Sequence, residues 1–137
     1  MTTTITSVLN RTEALCDALV QNFARYCIKS HLRSALSAET LVDSDYHKRK
    51  AEEIESGKGD LYRFLIETGR KYHKIIMVDT SGSRSVHAFV DKNTGDVYKS
   101  ASWKSPAKGV RFNLMNDASY SQVISTCDWA GSYLYLR

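Results

Sequence analysis

The apolar positions divide the chain into a first stretch with a helical period and a second with the period of a strand. Leu15, Leu19, Phe23 and Tyr26 recur at intervals of four and three, and Val20 and Cys27 widen the same stripe. That spacing predicts an amphipathic helix from about residue 11 to the low thirties. Asn10, with Glu13 three residues on, is the N-terminal cap this helix expects. Ser37-Ala-Glu-Thr40 marks a break or a second cap. From about 44 to 69 the chain is first charged all round, with Ile54 its one large aliphatic, and then gathers Leu61, Phe64 and Leu65. Gly57 and Gly59 interrupt that segment, each costing about 1 kcal/mol against Ala in a helix interior. It predicts one broken helix or two short ones, stopped at Gly69.

After Gly69 the period becomes two. KYHKIIMVD (71–79) is rich in β-branched and aromatic residues, and TSGS (80–83) is a turn. RSVHAFVDK (84–92) alternates, with Val86, Ala88 and Val90 expected on one face and His87 and Phe89 on the other. Asn93-Thr-Gly95 is a second turn, and DVYKSAS follows as a strand. Strand, turn, strand, turn and strand in succession predict an antiparallel meander. Pro106 and Gly109 punctuate a loop, Val110–Leu114 suits a short strand or turn, and Asp117 to about Cys127 suits a short helix. Residues 131–137 alternate and predict a closing strand. The expected fold is one α+β domain over 1–137. Its helical half, 1–70, holds two long or three shorter helices, and its small antiparallel sheet occupies 71–137.

Length and composition narrow the classes of function. At 137 residues the chain suits one domain with one core. Lys and Arg number 19 against 15 Asp and Glu, a net +4 that tilts the choice of partner toward anions. No apolar run approaches the roughly 18 residues of a membrane span, and the first residues lack a basic n-region. No membrane association and no secretory signal are therefore expected. Three cysteines with no CxxC pair, and four histidines with no HExxH or HxxxH pair, predict a reduced intracellular protein with no metal and no cofactor. Gly-Lys-Gly at 57–59 and Ser-Gly-Ser at 81–83 fit neither phosphate-binding fingerprint. No nucleophile elbow, kinase signature or Cys–His signature is present. Asp91 and Asp96 flank a turn and read as turn formers, and His87 reads as a core or polar-face residue rather than a general base. The expectation is a binder with no catalytic residues, not an enzyme.

Segment 98–113, YKSASWKSPAKGVRFN, is the most informative. It carries Lys99, Lys104, Lys108 and Arg111, with no acid between Asp96 and Asp117. Ser100, Ser102, Ser105, Trp103 and Asn113 accompany them. Cations and hydroxyls bind phosphate oxygens, Trp103 or Phe112 can stack a base, and Asn113 can read a base edge. The competing reading is a solvated basic loop whose indole packs on the core. Lys99, Ser102, Trp103, Lys104, Lys108, Arg111 and Asn113 are the candidate ligand-binding residues.

The run SVHAFVDKNTGDVYKSASWKSPAKG resembles a pattern found in small bacteriophage proteins. The residues that carry it are Val86 to Asp91, Thr94-Gly95, Lys99, Ala101, Trp103, Pro106-Ala107-Lys108, Arg111 and Asn113. Two N-terminal helices before a small sheet are also similar in layout to the first family of Thoeris anti-defence sponges. That resemblance implies a phage protein of the host cytoplasm that binds cyclic ADP-ribose isomers, and in some members cyclic oligonucleotides, without cleaving them. It also implies a homo-oligomer with pockets between protomers. Lys99, Trp103, Lys108, Arg111 and Asn113 are the residues it places in or near the pocket. The apolar face of the first helix, with Leu19 and Phe23, is the expected assembly surface.

Two other readings stay open. A small nucleic-acid-binding phage protein would use the same basic segment with Lys48, Arg49 and Lys50, although Glu52, Glu53 and Glu55 follow at once. A virion or host-takeover interaction protein would offer Tyr133-Leu-Tyr135-Leu-Arg137 as an edge strand.

Overall fold

The computed structural model describes residues 2–135. Two N-terminal helices, α1 (Thr2–Ser37) and α2 (Leu41–Glu55), precede five strands: β1 (Arg63–Thr68), β2 (Tyr72–Val78), β3 (Arg84–Asp91), β4 (Asp96–Lys99) and β5 (Phe112–Asn113). A third helix, α3 (Asp117–Thr126), and a 3₁₀ turn at Ser132–Leu134 follow. The strands form one antiparallel sheet in the order β1-β2-β3-β4-β5. The fold is α+β.

α1 begins well before residue 11. Val8 and Thr12 extend the buried stripe of Leu15, Cys16, Leu19 and Phe23 one turn at a time toward the N-terminus. Thr12 Oγ1 donates to Val8 O at 2.7 Å, which lets a hydroxyl lie in the core with its hydrogen bond made inside the helix. Asn10 is therefore interior to α1 and not its cap. Thr40 caps α2 instead, its hydroxyl accepting from Asp43 N at 3.1 Å.

The second expected helix is corrected at its end. α2 stops at Glu55, and Gly57 takes a positive φ of 82° that closes the helix. Residues 63–68 are then strand, not helix, so the sheet begins at Arg63 rather than at 71. Phe64 and Leu65 fit a helical stripe beside Leu61, but Phe64 is buried while Leu65 is 39% exposed, the alternation of a strand. Pairing with β2 decides it, with Phe64 opposite Met77 and Ile66 opposite Ile75. Gly69 sits in the hairpin turn and donates its N–H to Tyr72 O at 2.8 Å.

One sheet face packs on α1 and α3. Phe64, Ile75, Ala88, Val90 and Val97 join Val8, Leu15, Leu19, Leu114, Val123, Cys127 and Leu134 in one core. Leu19 and Phe23 are thus buried inside the chain and are not a free assembly surface. Phe23 stacks on Tyr62 at 4.2 Å and meets Trp129 edge-on at 5.2 Å. The C-terminal half of α1 carries α2. A β-bulge corrects the expected parity of β3. Ile75 pairs Ala88 while Ile76 pairs Val86, which leaves His87 as the extra residue. His87 therefore meets Phe64 edge-on at 5.4 Å on the core side.

The expected closing strand is also corrected. Gly131, at φ 86°, starts a 3₁₀ turn that buries Leu134. Tyr133 is held by its own hydrogen bond to His87, so this segment is not an edge offered to a partner. Leu136 and Arg137 lie outside the described residues.

Candidate functional site

Sheet parity decides which side chains share the face away from the helices. Because Ile75 and His73 point to the core, Tyr72, Lys74, Ile76 and Val78 occupy the other side. Register sets Lys74 beside Glu67 of β1 and Phe89 of β3, and Phe89 beside Tyr98 of β4. Arg84 lies opposite Val78. The outer face thus carries cations and aromatic rings over a buried floor of Ile76, Val78 and Phe89.

Residues 100–106 continue β4 as a small hairpin, with Ser100 bridged to Pro106. Ser102 Oγ accepts from Lys104 N at 3.3 Å and Ser105 N at 3.2 Å, a side-chain turn that presents Trp103 and Lys104 at its tip. The tip folds over the outer face. Lys74 Nζ lies 4.7 Å from the Trp103 ring centroid, and the Arg84 guanidinium carbon lies 6.0 Å from it. Glu67 reaches both cations, at 3.8 Å and 3.9 Å. Trp103 remains 42% exposed, so part of the ring stays open to a ligand. Beside it, Arg70, Lys71, Lys74 and Lys104 surround a pocket of ≈ 220 Å³ whose one carboxylate is Glu67 and whose walls include Tyr72 and Phe89. Such a site can hold phosphate oxygens on its cations and a base on its rings.

A second cleft of ≈ 340 Å³ opens at the other side of the sheet, between the ends of β3 and β4 and the 3₁₀ turn. Lys99 lines it with Ser85, Ser100, Trp129 and Tyr135. Lys99 Nζ lies 4.8 Å from the Tyr135 ring centroid and donates to Ser100 O at 3.3 Å. His87, on its wall, pairs Nε2 with the Tyr133 hydroxyl at 2.7 Å. Burial lowers the His87 pKa to about 4, so the ring is neutral at pH 7.

The seven sequence candidates do not share one pocket. Trp103 and Lys104 meet on the outer face, and Lys99 lines the inner cleft. Ser102 shapes the turn. Lys108 is exposed, and its carbonyl accepts from Arg111. Arg111 is a backbone clamp: Nε donates to Leu134 O at 2.7 Å, and Nη1 donates to Lys108 O and Gly109 O at 2.5 and 2.6 Å. Asn113 is committed as well. Its amide donates to Thr94 O and Asp96 Oδ1, and its carbonyl accepts from Met115 N and Asn116 N. Phe112 is half-buried and lies 5.9 Å from the Tyr133 ring.

Sequence reasoning missed Arg70, Lys71, Tyr72, Lys74 and Arg84. The period-two run 71–79 held a signal, because any face opposite Ile75 must carry Tyr72 and Lys74. Asp91 is a turn former, its Oδ1 accepting from Asn93 N and Thr94 N. No group of three or more metal-ligating side chains occurs among the described residues, and no helix is long and apolar enough to cross a membrane. No curated protein and no solved structure matches the chain. A match over residues 1–136 shows that the chain belongs to DUF7717, a family of unknown function.

Proposed function

We propose that this protein is a phage anti-defence sponge that binds and sequesters a small cyclic nucleotide signal in the host cytoplasm without cleaving it. The observation that carries the reading is the partly open Trp103 ring close to Lys74 and Arg84, beside the pocket of Arg70, Lys71 and Lys104. A base stacked on Trp103 contributes about 1–3 kcal/mol. Each hydrogen bond from a cation to a phosphate oxygen adds about 1.5–3 kcal/mol. The mechanism is affinity and stoichiometry, so it asks for preorganised cations rather than a nucleophile. Cyclic ADP-ribose isomers are the ligands the sequence resemblance selects, with cyclic oligonucleotides next. A homo-oligomer belongs to the same proposal. The apolar surface open to it is the tip of the α1–α2 hairpin, where Leu36, Leu41 and Val42 are 90%, 83% and 78% exposed.

Thermal unfolding against cyclic ADP-ribose isomers, cyclic dinucleotides, cyclic trinucleotides and single-stranded DNA tests this. A ligand at 100 times its Kd stabilises by about 2.7 kcal/mol, a shift of a few degrees for a chain of this size. The expected result is such a shift with one cyclic nucleotide, lost in Trp103→Ala and Lys104→Ala. A shift with DNA alone that collapses between low and moderate salt assigns the face to nucleic acid instead. No shift with any of them overturns the proposal.

A further inference from the structure

We propose that His31 and His47 form a two-imidazole clip for a divalent transition metal, copper(II) or nickel(II) in preference to zinc(II), joining α1 to α2. Their Nδ1 atoms face each other at 3.0 Å across the hairpin, between residues 16 apart in the chain. The pair escapes any search for ligands one helical turn apart, because each helix supplies a single histidine. Both rings are half-buried, 5.2 Å between centroids and tilted by 36°. The edge-on ring of Tyr46, 5.2 Å away, braces His47.

Two facing Nδ1 atoms can share a proton or a metal ion. With metal–nitrogen bonds of about 2.1 Å and both rings turned toward an ion off the Nδ1–Nδ1 line, a 3.0 Å separation subtends about 90° at the metal. That is the cis angle of square-planar and octahedral sites, which favour copper(II) and nickel(II). A tetrahedral zinc ion asks for a wider separation, about 3.4 Å at the same bond length. The ring that donates through Nδ1 changes tautomer, its proton moving to Nε2 through solvent, and both Nδ1 lone pairs then face the ion.

Lys50 acts electrostatically against a charge on His31. Its ammonium is engaged elsewhere, 3.5 Å from Glu53 and 5.6 Å from the Tyr46 ring centroid. No third His, Cys, Asp or Glu completes the set among the described residues, so water supplies the remaining ligands. The other two histidines do not compete. His73 is 2% exposed under α1, and His87 is bonded to Tyr133.

The test is calorimetric titration of tag-free, chelator-stripped full-length protein with Cu²⁺, Ni²⁺, Zn²⁺ and Mg²⁺, with thermal unfolding beside it. One Ni²⁺ or Cu²⁺ per chain is expected, tighter than Zn²⁺, with no Mg²⁺ binding. His31→Gln and His47→Gln each weaken binding at least tenfold and abolish the metal-dependent rise in Tm. Circular dichroism keeps the proposal testable by showing that each variant retains the wild-type helix content. Wild-type affinity in either folded variant, or no binding of any of these metals by the wild type, overturns it.

Discussion

Asn113 and Arg111 have the residue types of a nucleotide site and the hydrogen bonds of a joint. Asn113 links the turn at Thr94, the start of β4 at Asp96 and the approach to α3 at Met115 and Asn116. Removing its amide takes a partner from three backbone groups and the Asp96 carboxylate, and because these groups can turn to water the cost is about 0.5–1.5 kcal/mol. Asn113→Ala should therefore lower the urea midpoint while leaving the affinity of the folded protein for its ligand unchanged. Trp103→Ala should instead weaken binding with a smaller loss of stability, because a ring 42% exposed at a turn tip leaves no closed cavity behind. Equal loss of affinity in both variants would place Asn113 in the binding site after all. A residue type reports what a side chain can do. Only its neighbours report whether that capacity is already used.

At the scale of elements, legibility followed locality. β2, β3 and β4 were readable because their alternation is bounded by turns at Gly82 and Gly95, both with positive φ. β1 was not readable, because RFLIET is short and its apolar residues also fit a helix beside Leu61. Its state is set by a partner strand, not by its own pattern. The 3₁₀ turn hid for a similar reason, since Tyr133 is half-buried and Leu134 buried through contacts with distant residues. The candidate site divides the same way. Trp103 and Lys104 belong to one turn and were visible, whereas Lys74 and Arg84 reach them through sheet pairing and hairpin folding. α2 carries the opposite lesson, because a capped and charged helix can form clearly and still be weakly held. Its packing partner is α1, Ala51 is its buried residue, and Leu41 and Val42 face water. Hydrogen exchange should find α2 amides opening well below the global unfolding energy, while those of Ile75 and Ile76 open only with it. Equal protection in α2 and β2 would mean that the hairpin folds as one unit with the sheet.

For the molecule as a whole, the two histidines of the sheet core tie stability to pH. His87 and His73 both have pKa values below the ordinary 6.5, chiefly because burial disfavours the charged ring. His73 has its Nδ1 on Thr68 Oγ1 at 2.8 Å, and its Nε2 is buried with no hydrogen-bond partner, so a proton there gains nothing. Lys92 opposes that proton further, and Glu13 favours it. In the unfolded chain both rings take up a proton near pH 6.5. In the folded chain His87 does so only near pH 4. Between those values the unfolded state holds more protons, so stability is full above about pH 6.5 and falls as the pH drops toward 4. For His87 the loss is at most on the order of 3 kcal/mol, and less because one side of the ring lines the inner cleft. Urea unfolding of the wild type at pH 7.5, 6, 5 and 4.5 should show this decline. His87→Gln, which can still hydrogen-bond Tyr133 but does not titrate, should flatten the curve. Because α1, β2, β3 and the 3₁₀ turn enclose these rings together, the acid transition should be seen at once by helix circular dichroism and by tryptophan fluorescence. A wild-type slope retained in His87→Gln would assign the acid sensitivity to His73 or the carboxylates instead.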